Sequence, residues 1–128
     1  MEQEYLIDTN AVIDYLDNKL PKHGSDLIEG ITTRISVITR IELLVWINAT
    51  TEQTHILQQF VNVSLVYNLD EPVIVVAIHL RKTYKIKLPD AIIAATALIH
   101  NFTLITRNVD DFKNIDDLKL INPHELKI

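Results

Sequence analysis

An α/β domain on a mainly parallel sheet is the fold class this sequence predicts, from three observations. Short β-rich runs alternate with longer helical ones along the chain. The 128 residues suit one domain near the commonest domain size. Polar residues directly follow two of the expected strands, and ligands of parallel sheets bind beyond the carboxyl ends of strands.

Tyr5 to Ile7 reads as the first strand, with the chain turning at Asp8 and a helix following from Asn10 to Leu16. Asp17-Asn18-Lys19-Leu20-Pro21 is a loop, and Asp26 to Glu29 a short helix ended by Gly30. Thr32 to Ser36 is a second strand. Ser36 caps a helix to about Ile47, because its hydroxyl can accept an orphan N–H bond. Thr51 is placed to cap the next helix, to about Asn62, and Val63 to Val66 is a third strand. Asp70 opens a helix to about Tyr84, with Glu71 and Pro72 favourable in its first turn. Pro89 starts a helix over Asp90 to His100 that is apolar on nearly all sides and therefore buried on most faces. Thr103 to Thr106 is a strand, Val109 to Lys113 a helical turn and Leu118 to Ile121 a last strand. With neither repeat nor linker, residues 1–128 read as a single domain.

Composition excludes several functions. No cysteine is present, which removes disulfides and thiolate metal sites and leaves oxygen and imidazole ligands. Gly24 and Gly30 are the two glycines and neither lies in a Gly-rich loop, so nucleotide-phosphate cradles are absent. No apolar run approaches the roughly 20 residues of a membrane helix, and the N-terminus lacks a basic-then-apolar signal, so a cytoplasmic protein without membrane contact is expected. The formal net charge of −5 argues against indiscriminate nucleic-acid binding, yet is compatible with a nuclease whose acidic groups sit in a metal site. The five histidines, His124 included, show no ligand spacing and read as ordinary surface or core residues.

Four acidic positions stand in apolar or helix-starting contexts: Asp8, Glu42, Asp90 and Asp111. Each has a plain structural explanation. Asp8, Thr9 or Asn10 can cap the first helix. Glu42 fits the solvent face of an amphipathic helix, and Asp90 compensates a helix dipole for ~0.3–1 kcal/mol. Asp110 and Asp111 suit a polar loop; Asp111 is the stronger candidate because Phe112 beside it can anchor the turn, and Asn108 shares its face.

Jointly their flanking residues make a pattern: Leu6-Ile7-Asp8-Thr9-Asn10, Ser36-Val37-Ile38-Thr39-Arg40-Ile41-Glu42-Leu43, Leu88-Pro89-Asp90-Ala91-Ile92-Ile93-Ala94-Ala95-Thr96-Ala97 and Leu104-Ile105-Thr106-Arg107-Asn108-Val109-Asp110-Asp111-Phe112. In these segments, which span nearly the whole length, the chain resembles the PIN-domain ribonucleases, and within them the VapC-type toxins of toxin–antitoxin pairs. The resemblance implies a PIN-like three-layer α/β/α sandwich with a central mainly parallel sheet. It implies a metal-dependent endoribonuclease with a catalytic quartet of Asp8, Glu42, Asp90 and Asp111. Mg²⁺ or Mn²⁺ would be held mainly by Asp8, Asp90 and Asp111, and Thr9, Asn10, Thr106 and Asn108 would support them. The fourth ligand stays open among Asn108, Asp110 and Asp111, since Asn108 stands where other branches often carry Asp. The departure at Leu44-Val45-Trp46, where many relatives have a small residue, puts the local packing in question.

Arg40, Lys85, Lys87 and Arg107 flank the candidate site and could contact RNA phosphates. The resemblance further implies a homodimer and a small antitoxin that sends a basic segment into the acidic site, with Trp46, Ile47, Ile56, Leu57 and Phe60 as candidates for its groove or for core. Two other readings compete. One is a catalytically idle binding module of the same fold. The other is an aspartyl-phosphate phosphotransferase, for which Asn10 stands where the general acid should be.

Overall fold

Each strand here is only three residues long, so alternate side chains decide which layer a helix packs into. The computed structural model describes residues 2–126; Met1, Lys127 and Ile128, included in the expected domain, lie outside the described residues. The elements are β1 (Tyr5–Ile7), α1 (Thr9–Leu16), α2 (Lys22–Glu29), β2 (Arg34–Ser36), α3 (Val37–Leu44) and α4 (Thr51–Val63). Then follow β3 (Leu65–Tyr67), α5 (Glu71–Thr83), α6 (Leu88–His100), β4 (Thr103–Ile105), α7 (Val109–Phe112) and β5 (Lys119–Ile121).

All ladders are parallel. β4 lies between β1 and β5, with Leu6 opposite Leu104 and Leu104 opposite Leu120. β2 pairs with β3 and packs beside β1. The period of two along a strand then separates two cores. Leu6 and Leu104 face a layer made by α5, α6 and Phe112. Ile7 and Ile105, one residue on, face Ala11, Val12, Ile28, Leu43 and Leu57 from α1 to α4. Helices cover both faces, as a parallel sheet requires, giving the expected three-layer α/β/α sandwich. Every residue from Ala91 to Ala97 is buried, in line with the all-round apolar sequence of α6.

Several boundaries differ from those expected. Ser36 caps α3 as expected, its Oγ accepting from Ile38 N at 3.0 Å. That helix stops at Leu44 rather than near Ile47, because Val45, Trp46 and Ile47 are exposed and gain nothing from continuing it. Thr50, not Thr51, caps α4, in a reciprocal box with Gln53 (3.1 and 2.9 Å). The second helix starts at Lys22, four residues before the expected start, where Gly24 lets the backbone of Pro123 come close. Asp70 caps α5 and Pro72 sits in its first turn, as the sequence predicts.

Because the ladders run one way, β1 and β4 end at the same sheet edge. Asp8 and Thr106 follow them directly, and α3 brings Glu42 after the neighbouring β2.

Candidate active site

Asp8 N–H donates to Ile105 O at 2.9 Å, one residue beyond the ladder, and this fixes Asp8 beside Thr106. The Asp8 side chain is buried, 4% exposed. An ion there is costly unless donors meet it, and three do: Thr9 N to Oδ1 (2.8 Å), Asn10 Nδ2 to Oδ2 (3.0 Å) and Thr106 Oγ1 to Oδ2 (2.9 Å). Burial raises the carboxyl above its ordinary value, and the Glu42 charge adds to that; Thr106, Thr9 and Asn10 pull the other way. The Asn10 amide is oriented by its partners, since its Oδ1 accepts from Arg107 N at 2.9 Å. Asn108 N in turn donates to Thr106 Oγ1 at 3.0 Å. The helix-capping explanation of Asp8 is thus correct as far as it goes: it is the N-cap of α1, but two of its three side-chain donors lie outside the cap.

Glu42 is solvent-exposed, as its plain reading has it. It is nonetheless tied to the same edge, because Thr9 Oγ1 donates to Glu42 Oε1 at 2.6 Å and lies 3.0 Å from Thr39 Oγ1. Two electrostatic effects meet at Asp90. Dipole compensation at the start of α6 would hold its carboxyl low. Instead burial, then the charges of Asp8, Asp111 and Glu42, push it up to about 6, against the pull of Lys87. Desolvation and like-charge repulsion are thus the main influences on this carboxyl.

Asp111 sits on α7, which the buried Phe112 anchors in the core. Its charge acts on Asp90, whereas Asp110 pairs with Lys113 at 3.3 Å. Asn108 lines the groove on the Asp8 side. Asp90 borders two hollows: one with Asp8, Asn10, Glu42 and Asn108, the other with Asp111, Lys85 and Lys87. Arg107 lines the first, while Arg40 is exposed on α3 outside both linings.

Among the described residues no three His, Asp or Glu side chains converge into a ready-made metal cage. The donor set still fits a hard divalent cation. It is all oxygen, and a cation of the magnesium kind keeps several waters and needs only one or two protein carboxylates. Three donors occupy three of the roughly four acceptor positions on Asp8, leaving one on Oδ1.

Three residues near this edge escaped the sequence reading. Lys19 lines the Asp8 hollow. Asp14 is buried and carries both Arg107 Nη1 (3.0 and 2.9 Å) and His124 Nε2 (2.7 Å), so His124 is not an ordinary histidine. The signal was Asp14 four residues after Asn10 in an apolar helix, a spacing that places both on one face.

Beside Glu42 lies an apolar groove of about 460 Å³ lined by Ile13, Leu16, Leu43, Trp46, Ile56 and Leu57. Of the five expected groove residues, Trp46, Ile56 and Leu57 line it. Phe60 belongs to the core at 8% exposure, and Ile47 is exposed but stands outside the groove.

Comparison with known proteins bears on the fold and the family. The PIN domain family matches residues 5–118. A toxin–antitoxin complex from Klebsiella pneumoniae contains a chain 32% identical over 96% of this chain and 100% of its own, with a TM-score of 0.78. VapBC-1 from nontypeable Haemophilus influenzae is 27% identical over 94% of this chain and 98% of its own, at 0.77. VapBC2 from Rickettsia felis, bound to a DNA fragment from its promoter, is 25% identical over the same shares, at 0.78. A search of curated proteins gives no significant match. A family match across nearly the whole length, on a fold that gathers the matching segments at one sheet edge, means that this chain belongs to the PIN-domain family.

Proposed function

We propose that this chain is a divalent-metal-dependent endoribonuclease and the toxin of a toxin–antitoxin pair acting in the cytoplasm. One observation carries the nuclease reading: Asp90 is raised to about 6, first by burial and then by Asp8 just after β1, Asp111 on α7 and Glu42 on α3. Charges so arranged are unfavourable without a cation. Asp8, Asp90 and Asp111 would hold Mg²⁺ or Mn²⁺. When bound, such an ion lowers the pKa of a coordinated water and offsets charge building on the phosphate. Glu42, with Oε1 fixed by Thr9, uses its other oxygen to orient the attacking water. Asn10 and Thr106 keep Asp8 in place, and Asn108 supports Thr106. Lys85 and Lys87 on one side and Arg107 on the other receive flanking RNA phosphates, with Arg40 farther out. The phosphotransferase reading loses ground because Asn10 donates to Asp8 and offers no acid.

The apolar groove next to Glu42 suits an amphipathic antitoxin helix whose basic end reaches the carboxylates. The toxin–antitoxin complexes among the similar structures support this partner. A homodimer is proposed on the resemblance alone.

The test incubates purified protein with structured RNA, with and without Mg²⁺ or Mn²⁺. Cation-dependent cleavage that Asp8→Asn abolishes is expected, with the fold retained because loss of a buried charge offsets one mismatched hydrogen bond of about 1–2 kcal/mol. Cleavage surviving both that change and excess chelator removes the metal mechanism. No cleavage under any condition favours the idle binding module. Growth arrest on expression, relieved by the adjacent reading frame, tests the toxin role.

A further inference from the structure

Asp14 is a buried carboxylate at this edge that the nuclease reading leaves unused. Its side chain is 3% exposed, while that of its partner Arg107 is 51% exposed and borders the acidic hollow. Arg107 spends Nη1 alone on Asp14, contacting both carboxylate oxygens. Among the described residues its Nη2 and Nε make no hydrogen bond. The Arg107 N–H orients Asn10, which donates to Asp8.

A buried ion pair is a poor device for stability alone, since apolar residues of similar volume often serve as well or better. An arginine, by contrast, has much rotamer freedom to lose before it can meet a phosphate. With four carboxylates nearby, a loose guanidinium would also be drawn onto them. We propose that Asp14 is a positioning residue for RNA: it pins Arg107 by one nitrogen at the wall of the hollow, so that Nη2 and Nε stay free for a phosphate on the Asp8 side. His124 fastens the segment after β5 to the same carboxylate and is a structural neighbour rather than part of the phosphate contact.

This rests on the RNA-hydrolase reading, and the test separates the two. Binding of a fluorescently labelled single-stranded RNA is followed by anisotropy in chelator as salt is varied. Arg107→Ala is expected to lower the salt slope by about 0.7, the value of one phosphate on a single strand. Asp14→Asn is expected to lower it equally, and the double variant no further, as for residues acting as one unit. His124→Asn leaves the slope unchanged. In cleavage assays Asp14→Asn raises KM about fivefold with kcat nearly kept.

If Arg107→Ala lowers the slope and Asp14→Asn does not, the proposal falls and the nuclease reading stands. If the wild-type chain neither binds nor cleaves RNA, the nuclease reading falls and the proposal with it. Should Asp14→Asn fail to fold, NMR of the wild-type guanidinium decides. Separate, slowly exchanging Arg107 Nη signals before RNA is added are the expected result, and averaged, freely rotating ones overturn the proposal.

Discussion

Replacing Asp90 by Asn should make the metal-free protein more stable, and the size follows from the site. The Asp90 carboxyl is raised from 3.8 to about 6 by burial, then by Asp8, Asp111 and Glu42. At full strength that rise is about 3 kcal/mol. Asp90 is only half-buried, so water screens it to about 1–2 kcal/mol. Loss of the acidic group from the first turn of α6 opposes this by about 0.3–1 kcal/mol. The net gain is about 1 kcal/mol, or about 4 °C in Tm for a domain of this length. The pH window follows from the sign of the shift. A folded carboxyl that keeps its proton longer than the unfolded one carries no penalty below 3.8, and stability is lost as pH rises through about 6. Thermal melts in chelator at pH 8 should therefore favour Asp90→Asn, and at pH 4 the gap should close. With excess Mg²⁺ the wild type should gain and the variant gain less, since ligand binding stabilises the form that binds it. Equal or lower Tm for the variant at pH 8 in chelator would refute the claim that the carboxylates strain one another.

Three further outcomes can be checked. Thr106→Val removes a donor to Asp8 and the acceptor of Asn108 N, so it should cost about 1–3 kcal/mol in denaturant melts. It should also raise the Asp8 carboxyl further, moving the acid limb of the cleavage profile to higher pH. Gly24→Ala places a Cβ 2.0 Å from Pro123 O, an overlap that backbone must relieve. The expected loss is about 1–3 kcal/mol, with hydrogen exchange rising over residues 122–125. Trp46, the single tryptophan and half exposed in the apolar groove, should shift its fluorescence to shorter wavelength when the proposed antitoxin binds. Trp46→Ala should cost about 2 kcal/mol of that affinity, and an unshifted spectrum in a stable complex would place the partner elsewhere.

The order of elements was legible because it depends on periodicity that a short window contains. Leu6 and Ile7 fall on opposite faces by alternation alone, and α6 declares its burial in seven consecutive residues. What was missed depends on partners far away in sequence. Gly24 in α2 lies against the backbone of Pro123, a contact that nothing near Gly24 announces. The apolar Val45, Trp46 and Ile47 suggest a longer α3 than exists, because they face no core. Asp14 looked unremarkable because its compensation comes from residues 93 and 110 positions away. Asp8 could be singled out because a carboxylate after a buried strand is costly wherever the chain goes next. Glu42 is less decisive, since its apolar neighbours single it out while an exposed helical glutamate is ordinary, and its role in the quartet is what the resemblance implies.

The overall charge of −5 and a proposed RNA substrate are compatible only through the distribution of that charge. Four of the negative charges, those of Asp8, Glu42, Asp90 and Asp111, act on one another at a single edge. Lys85 and Lys87 border one end of that edge and Arg107 the other. A phosphate backbone approaching without a cation meets the carboxylates first, whereas a divalent ion removes much of that repulsion and leaves the flanking cations to act. Affinity for uncleaved RNA should therefore rise with Mg²⁺ in a variant such as Glu42→Gln, and not only the rate of cleavage. In a purely catalytic role for the ion, binding would be indifferent to it, and the acidic edge would need another explanation.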